Sequence, residues 1–260
     1  MNGLVDLTVE SGIAEIRFNR PSRLNALDVD LAEHFAAAVD SVLNDQAVRV
    51  VVISGAGRAF MAGGDLALFK AADRSDRPEV SRRLIRPLNL AIVKLAESPL
   101  VTIASVQGAV AGAGMSFAMM ADLAVAADDA KFTFSYTKVA VNPDCGGTYA
   151  LVRLVGLRKA MEIALLADTL DAEEVLKWGL VNKVVPAAEL REATFTMARR
   201  LADGPGLALA STKALLRRSC VGSLRTQLEA ELECFVHLSG GADFDEGLNA
   251  FFSKRRPVFT

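Results

Sequence analysis

The chain has 260 residues, of which 52% are hydrophobic, and this length and composition predict one large domain with a substantial core. The apolar content excludes an intrinsically disordered chain. Twenty-nine basic residues nearly balance 31 acidic ones, for a net charge of -2, and this balance predicts neither nucleic acid nor a membrane as a partner.

Cysteines and histidines are few and widely spaced. Cys145, Cys220 and Cys234 match neither a disulfide framework nor a zinc site, and with only two histidines no metal ion is expected. Unpatterned thiols are typical of a reducing compartment, and residues 1–11 lack the charged and apolar segments of a signal peptide. The sequence therefore predicts a cytoplasmic location.

The first hundred residues alternate between strand and helix patterns. The predicted elements are a β-hairpin at 4–9 and 13–18, a helix at 28–43, a strand at 48–54, a charged surface loop at 72–80 and a helix at 85–96. Asp28 has the residue type and the place of a helix N-cap. The β-branched run at 48–54 is typical of a strand that is covered on both faces.

Residues 100–121 carry no charge and contain a GxxxG pair, Gly108 and Gly112, so their length alone would permit a membrane helix. Four polar side chains and three glycines interrupt the segment, and its β-branched residues crowd into the first third. These features favour a buried strand, a glycine turn and a buried helix over a membrane span.

The second half of the chain becomes mainly helical. After short strands at 123–126 and 132–134, helices are predicted at 148–154, 157–166, 172–178, 188–202, 207–218 and 224–238, with one strand at 181–185. A strand–turn–helix unit recurs about three times, which is compatible with a stacked spiral of ββα turns. The predicted fold class is therefore α/β with a helical C-terminal region.

Two glycine-rich turns, at 59–66 and 108–114, follow the two most apolar strands. Neither has the third glycine of a dinucleotide-binding fingerprint or the Gly-Lys-Ser/Thr of a phosphate-binding loop. They are either ordinary tight turns or turns whose small residues leave backbone N–H groups uncovered. In the second interpretation, two converging amides at a helix N-terminus form an oxyanion hole.

Asp144 lies in the most unusual polar segment, at 142–148. This segment is either a type I turn with proline at its second position or a turn that holds a carboxylate in apolar surroundings. Ser116, Asp144 and His237 also follow the chain order of an α/β-hydrolase triad. We interpret that order as a coincidence, because Ser116 falls inside a predicted helix and not at a sharp turn directly after a strand.

The C-terminal residues 250–257 combine two aromatic side chains with three consecutive cations. A solvated basic tail and a clamp for a phosphate and a purine ring are both compatible with this composition. The residues alone do not choose between the two.

Several motifs in one order carry a family resemblance. The matching segments are 19–21, 24–27, 55–60, 62–66, 106–108, 112–114, 130–132, 178–186 and 246–255. On these segments the chain resembles the enoyl-CoA hydratase/isomerase (crotonase) superfamily over essentially its whole length. The resemblance implies a crotonase fold, with a ββα-spiral core at 1–200 that carries the CoA and oxyanion sites and a helical trimerisation region at 201–260. It also implies a homotrimer or a homohexamer.

The resemblance further implies a ligand and the residues that bind it. The ligand is an acyl-CoA thioester, and no cofactor is expected beyond the CoA moiety of this substrate. The oxyanion amides would be those of Gly64 and Ala113. The CoA-binding residues would be Arg23, Leu24, Ala62, Asp65 and Leu66, with Phe251 and Lys254 reaching the CoA of a neighbouring subunit.

Two departures from the family pattern bear on the predicted reaction. The hydratases of the family use two glutamates, and those positions here are Ser116 and Tyr136. Hydration needs one group to deprotonate water and another to supply a proton, so ordinary hydration is not expected. The carboxylate that remains is Asp144, and its context most resembles the ring-1,2-epoxyphenylacetyl-CoA isomerases of phenylacetate degradation.

These departures predict an acyl-CoA isomerase, acting on a ring epoxide or an enoyl double bond, with Asp144 as the single acid and base. The residues expected to shape the acyl pocket are Met115, Ser116, Phe117 and Tyr136. The alternatives are a hydratase-like enzyme, a dehalogenase or hydrolase that uses Asp144 as nucleophile, and a non-catalytic CoA-binding subunit. The sequence leaves the acyl group, the pathway and the reaction direction open.

Overall fold

The structure, a computed structural model, describes residues 3–259. Strands and helices alternate in the first part of this range, and the last part is helical. The strands are β1 (Val5–Glu10), β2 (Ile13–Phe18), β3 (Val50–Gly55), β4 (Ala59–Met61), β5 (Val101–Val106), β6 (Ala109–Ala111), β7 (Leu123–Ala127), β8 (Lys131–Thr133), β9 (Thr169–Leu170) and β10 (Lys183–Val185). The helices are α1 (Val29–Asn44), α2 (Leu66–Ala71), α3 (Arg77–Glu97), α4 (Ala113–Met120), α5 (Gly147–Leu166), α6 (Ala172–Lys177), α7 (Leu190–Ala202), α8 (Gly206–Ser219), α9 (Leu224–Ser239) and α10 (Ala242–Phe252). Short 3-10 helices span Pro21–Arg23, Ser135–Val139 and Ala187–Glu189.

The strands form two sheets, and each repeated turn of the chain adds one strand to each sheet. The larger sheet has the order β1-β2-β3-β5-β7-β10, and the smaller sheet has the order β4-β6-β8-β9. β1 and β2 form the predicted antiparallel hairpin, whereas β2, β3, β5, β7 and β10 run parallel. The units β3-β4-α2-α3, β5-β6-α4 and β7-β8-α5 are three turns of a ββα spiral, which confirms the predicted fold class.

Helices cover both faces of the larger sheet. α1 begins at the predicted N-cap, where the Asp28 carboxylate accepts a hydrogen bond of 2.9 Å from the Leu31 amide. On the α1 side, Phe35 packs against Phe18 and Phe117, with ring centroids 5.3 Å and 5.1 Å away. α7 covers the opposite face and packs its small side chains on valines and isoleucines of β3 and β5. This double cover explains why the strand sequences are apolar throughout.

The uncharged segment at 100–121 consists of β5, β6 and α4. β5 lies between β3 and β7 in the larger sheet, and all six of its residues are buried. The strand, turn and helix interpretation is confirmed, with the difference that the turn contains the short strand β6. Across residues 3–259, no helix has both the length and the apolar content needed to cross a membrane.

Two predictions of local structure are wrong at their boundaries. The charged stretch at 72–80 is not all loop, since α3 begins at Arg77. The first two turns of α3 mostly face solvent, so no apolar periodicity marks them. At the C-terminus, α10 replaces the beginning of the basic tail, and the Arg255 guanidinium binds both Glu246 oxygens at 2.5 and 2.7 Å. Arg255 is therefore an anchor for the end of the chain.

A buried cation attaches the C-terminal helices to the core. The Lys213 ammonium on α8 donates to the carbonyl oxygens of Leu95 and Leu100 at 2.9 and 2.6 Å, and it lies 3.0 Å from the Asp122 carboxylate. Burial lowers the pKa of Lys213 below its usual range, against the opposing effect of Asp122. Arg217, one turn later on α8, bonds the same carboxylate at 2.6 Å. Asp122 thus joins α8 to the end of α4.

Candidate active site

Two loops that contain predicted CoA-binding residues lie side by side. The Ala62 amide donates to the Leu24 carbonyl oxygen at 3.0 Å, and the Leu27 amide donates to the Gly63 carbonyl oxygen at 2.8 Å. The loop at 20–27 and the loop at 62–65 therefore run together at the edge of the smaller sheet. This arrangement brings Arg23, Leu24 and Ala62 into one region of the surface.

Asn25 holds this pair of loops together, a role that its place in a matching segment did not reveal. Its side chain is fully buried, and its Nδ2 donates to the Ala56, Ala59 and Phe60 carbonyl oxygens at 2.9, 2.8 and 3.1 Å. The backbone φ of Asn25 is 56°, a left-handed conformation that asparagine adopts more readily than most residues. One polar side chain therefore ties the first loop to β4.

The two glycine-rich turns face each other. β4 and β6 are parallel neighbours, so the segments that follow them leave the smaller sheet together. A Cβ on Gly63 would lie 3.2 Å from the Ala111 carbonyl oxygen and 3.7 Å from the Gly112 Cα, which leaves no room for a side chain. Gly64 and Ala113 are the residues that follow this backbone contact.

The backbone amides of Gly64 and Ala113 are among the donors of this region that have no backbone acceptor. Ala113 is the first residue of α4, and a helix leaves its first four amides without an acceptor in the helix. The neighbouring amides of Asp65 and Gly112 donate to the Leu27 and Thr133 carbonyl oxygens at 2.8 and 3.0 Å. Within residues 3–259, neither the Gly64 nor the Ala113 amide makes such a bond. Two uncommitted donors at a helix N-terminus are what an oxyanion hole requires, and that role stays a prediction.

A chain of three side chains connects α4 to the predicted carboxylate. The Tyr136 hydroxyl lies 2.9 Å from Ser116 Oγ and donates to Asp144 Oδ1 at 2.5 Å. Ser116 lies one helical turn after Ala113, and Tyr136 lies in the 3-10 helix Ser135–Val139. Asp144 is half-buried in the turn before α5, and its carboxylate faces inward to Tyr136.

Burial keeps the neighbours of Asp144 protonated. Desolvation, with the Asp144 charge beside it, raises the pKa of Tyr136 far above its usual range. The same two causes raise the pKa of the Cys145 thiol. Both groups are therefore neutral hydrogen-bond donors at physiological pH, and neither supplies a base or a thiolate nucleophile.

The four residues predicted to shape the acyl pocket do not lie together. Ser116 and Tyr136 belong to the hydrogen-bonded chain beside Asp144. The ring of Phe117 instead packs on two phenylalanines of the core, and Met115 is 1% exposed in the same core. Successive residues of a helix point about 100° apart, so neighbours in sequence face different surroundings. Phe117 therefore packs in the core, and its place in an acyl pocket stays a prediction.

Asp65 makes contacts within its own loop and with Arg20, and its predicted role in CoA binding stays a prediction. Its carboxylate accepts from the Ala67 amide at 3.0 Å, which caps α2, and pairs with Arg20 at 2.7 Å. Although partial burial opposes the change, the Arg20 bond and charge hold the pKa of Asp65 below its usual range. An anionic carboxylate with these partners stabilises the loop.

The other predicted CoA-binding residues lie at the surface. Arg23 and Leu66 are exposed, and Leu24 is half-buried. Phe251 is 77% exposed on α10, which packs against α9, and Lys254 follows at the end of that helix. The proposed reach of Phe251 and Lys254 to a neighbouring subunit therefore stays a prediction.

The triad order of Ser116, Asp144 and His237 has no structural counterpart. His237 lies on α9 and lines a cavity of about 750 Å³ formed with α8 and α10. Ser116 is completely buried on α4, and its hydroxyl pairs with Tyr136. In the described range, 3–259, no three His, Cys, Asp or Glu side chains are grouped to hold a metal ion.

Comparison with known families assigns the chain. The family model for enoyl-CoA hydratase/isomerase matches residues 8–260. The chain belongs to the enoyl-CoA hydratase/isomerase family. Membership in this family confirms the resemblance noted in the motifs and makes the protein an enzyme of the crotonase type.

Individual relatives of this enoyl-CoA hydratase/isomerase family member carry different names. The chain is 36% identical to a 1,2-epoxyphenylacetyl-CoA isomerase of Escherichia coli over 253 residues, which are 97% of this chain and 96% of the relative. It is also 36% identical to a protein named "probable enoyl-CoA hydratase" of Rhodobacter capsulatus over 252 residues, 97% of this chain and 96% of the relative. A crystal structure of an enoyl-CoA hydratase from a Polaromonas species superposes with a TM-score of 0.93 at 34% identity, covering 99% of this chain and 100% of that chain.

Proposed function

We propose that this member of the family is an acyl-CoA isomerase that uses one carboxylate, Asp144, as both acid and base. The observation that carries the proposal is the hydrogen bond between Tyr136 and Asp144. Tyr136 stands where the hydratases of the family carry one of their two glutamates. A second glutamate position holds Ser116, so this site has one acidic side chain in place of two. The relative named 1,2-epoxyphenylacetyl-CoA isomerase supports the same reaction class.

The thioester carbonyl would lie between the Gly64 and Ala113 amides. Both donors lack another backbone acceptor, so they could stabilise the negative charge of an enolate-like species. Losing one such donor typically removes about 2.7–4 kcal/mol of transition-state stabilisation. The α4 N-terminus adds its positive dipole at the same point.

One carboxylate suffices for isomerisation because the proton that is removed is returned. Asp144 would take a proton from the acyl group as the enolate forms and deliver it to another atom of the same acyl group. Hydration instead consumes water and requires a second group to orient it. A ring epoxide or a 3-enoyl group would each fit this scheme, since both rearrange through a stabilised thioester enolate.

The test is the Asp144→Asn variant, assayed with a ring-epoxide acyl-CoA and a 3-enoyl-CoA and followed by proton exchange in deuterated water. We expect turnover and exchange to fall by at least about 100-fold, as is typical for removal of an acid–base group. Glu10→Gln, at the exposed end of the β1–β2 hairpin, is the matched control and should retain full activity.

Two results would contradict the proposal. Turnover of Asp144→Asn within a few-fold of the parent would exclude Asp144 as the base. An acyl adduct on Asp144 in a quenched single turnover, detected by mass spectrometry, would instead identify a nucleophile and favour hydrolytic chemistry.

A further inference from the structure

We infer that Tyr136 and Ser116 form a positioning relay that runs from helix α4 to Asp144 and aims its carboxylate at the acyl group. This inference rests on the proposed function, because it assigns the relay to the carboxylate named there. The relay consists of two hydrogen bonds in series, 2.9 Å between Ser116 and Tyr136 and 2.5 Å between Tyr136 and Asp144.

The direction of the two bonds follows from the available protons. An ionised carboxylate only accepts hydrogen bonds, so the single Tyr136 proton points to Asp144 Oδ1. The Tyr136 oxygen must then accept from Ser116, whose hydroxyl is the donor. Ser116 therefore donates to Tyr136, and Tyr136 donates to Asp144. A hydrogen bond to a charged acceptor is stronger than one between two neutral groups, so the Tyr136–Asp144 bond is the stronger of the two.

Burial and close packing restrict the side chains of the relay. Ser116 is 0% exposed and Tyr136 is 7% exposed, so water does not compete for either hydroxyl. The Tyr136 ring stands edge-on to Phe134, with centroids 5.1 Å apart. A Cβ on Gly147 would overlap Ser116 Oγ and would lie 2.8 Å from the Phe134 ring, which shows how closely the start of α5 packs on both.

The relay couples the two halves of the proposed site. Ser116 lies on α4 one turn after Ala113, whose amide is one of the two proposed oxyanion donors. Asp144 belongs to a turn outside regular structure, where a half-buried carboxylate on its own would sample several rotamers. A rigid connection from α4 therefore sets the distance between the carboxylate and the bound thioester, and small errors in that distance are costly in rate.

Tyr136 and Ser116 are positioning residues here, because both hydroxyl protons are used in the hydrogen bonds of the relay. The two positions that carry glutamates in hydratases of the family would thus both serve the one carboxylate that this chain retains. The adjacent Cys145 thiol, which also interacts with Asp144, is too buried to add a separate chemistry.

The test compares Tyr136→Phe and Ser116→Ala with Tyr149→Phe as the matched control. Tyr149 is the only other tyrosine of the chain, is 47% exposed and lies on α5. We expect Tyr136→Phe to lower kcat by about 10- to 100-fold with KM changed less than about three-fold, because a bond to a charged group is lost while CoA binding is untouched. Ser116→Ala should lower kcat by a smaller factor, and Tyr149→Phe should leave it unchanged.

A double-mutant cycle separates positioning from a merely structural role. In an Asp144→Asn background, Tyr136→Phe should change the residual exchange rate by less than about two-fold, because a relay acts only through the carboxylate. An equal fold-loss in both backgrounds would overturn the inference, and so would kcat within two-fold of the parent for both Tyr136→Phe and Ser116→Ala. Ser116→Ala removes only one buried atom and keeps the test valid if Tyr136→Phe folds poorly. The proposed function has its own test: if the single variant Asp144→Asn keeps its activity, the proposed function is wrong, whatever the Tyr136 and Ser116 variants show.

Discussion

Helices α1 and α9 have the same length, 16 residues, and opposite relations to the rest of the chain. α1 buries six side chains against the larger sheet and α3. α9 buries none, and its large apolar side chains are exposed: Leu224, Leu228, Leu232, Phe235 and Val236. An amphipathic pattern that is satisfied within the chain at α1 is left unsatisfied at α9.

Among residues 3–259, the two buried core clusters include no residue of α9 or α10. α8 touches the core through Lys213 and Arg217, α9 packs mainly on α8, and α10 packs on α9. Exposed apolar surface of this extent is unfavourable in water and marks an interaction surface. The expected homotrimer or homohexamer would cover it, and that assembly stays a prediction.

The largest expected effect tests this contrast directly. Phe35 on α1 is fully buried, whereas Phe235 on α9 is 65% exposed. Phe35→Ala should lower the free energy of unfolding by about 3–5 kcal/mol, because it opens a cavity among packed rings. Phe235→Ala should lower it by less than about 0.5 kcal/mol in dilute solution. Urea unfolding at low protein concentration measures both, and equal losses would place α9 in the core of the single chain.

A smaller effect concerns the contact between the two regions. Asp122→Asn removes the charged partner of the buried Lys213, and we expect the free energy of unfolding to fall by about 1–3 kcal/mol. The matched control is Asp40→Asn, whose partner Lys94 lies half-exposed on the surface of the core, and its expected cost is about 0–1 kcal/mol. Similar costs for the two variants in urea unfolding would show that Lys213 is not the anchor of α8.

The smallest expected effect lies at the end of the C-terminal region. The Arg255 bond and the Val258 amide lower the pKa of Glu246 to about 2 from its usual 4.5. A carboxylate whose pKa is lower in the folded state stabilises it above pH 4.5 and loses this contribution as the pH falls toward 2. The NMR chemical shift of the Val258 amide proton, which bonds to Glu246, should therefore change with a midpoint near pH 2. A midpoint near the usual value would contradict the anchoring, and Glu246→Gln should abolish the titration.

Much of the fold could be predicted because its elements carry strong periodic patterns. The strands β3 and β5 are continuous apolar runs, and α1 combines an N-cap with apolar residues at helical spacing. The strands β4, β6 and β9 have only two or three residues, which is too short for any period to be visible. The start of α3 at Arg77 was missed because its side chains there face solvent.

The candidate site could be predicted less completely. The positions of Gly64, Ala113 and Asp144 followed from motifs, and the structure places the turns before the first two in contact. The contact of Tyr136 with Asp144 could not be predicted, because the 3-10 helix that contains Tyr136 and the turn after it have no periodic signal. The packing of Phe117 on the core phenylalanines could not be predicted either, because a residue next to Ser116 in sequence lies on another side of α4.

The close packing of Gly147 on Ser116 limits which side chains position 116 can hold. A glutamate there would need room for three more heavy atoms, whereas even a Cβ on Gly147 would overlap Ser116 Oγ. Ser116→Glu therefore requires the start of α5 to move, and the turn that carries Asp144 leads directly into that helix. A second acid at position 116 would thus disturb the placement of the first.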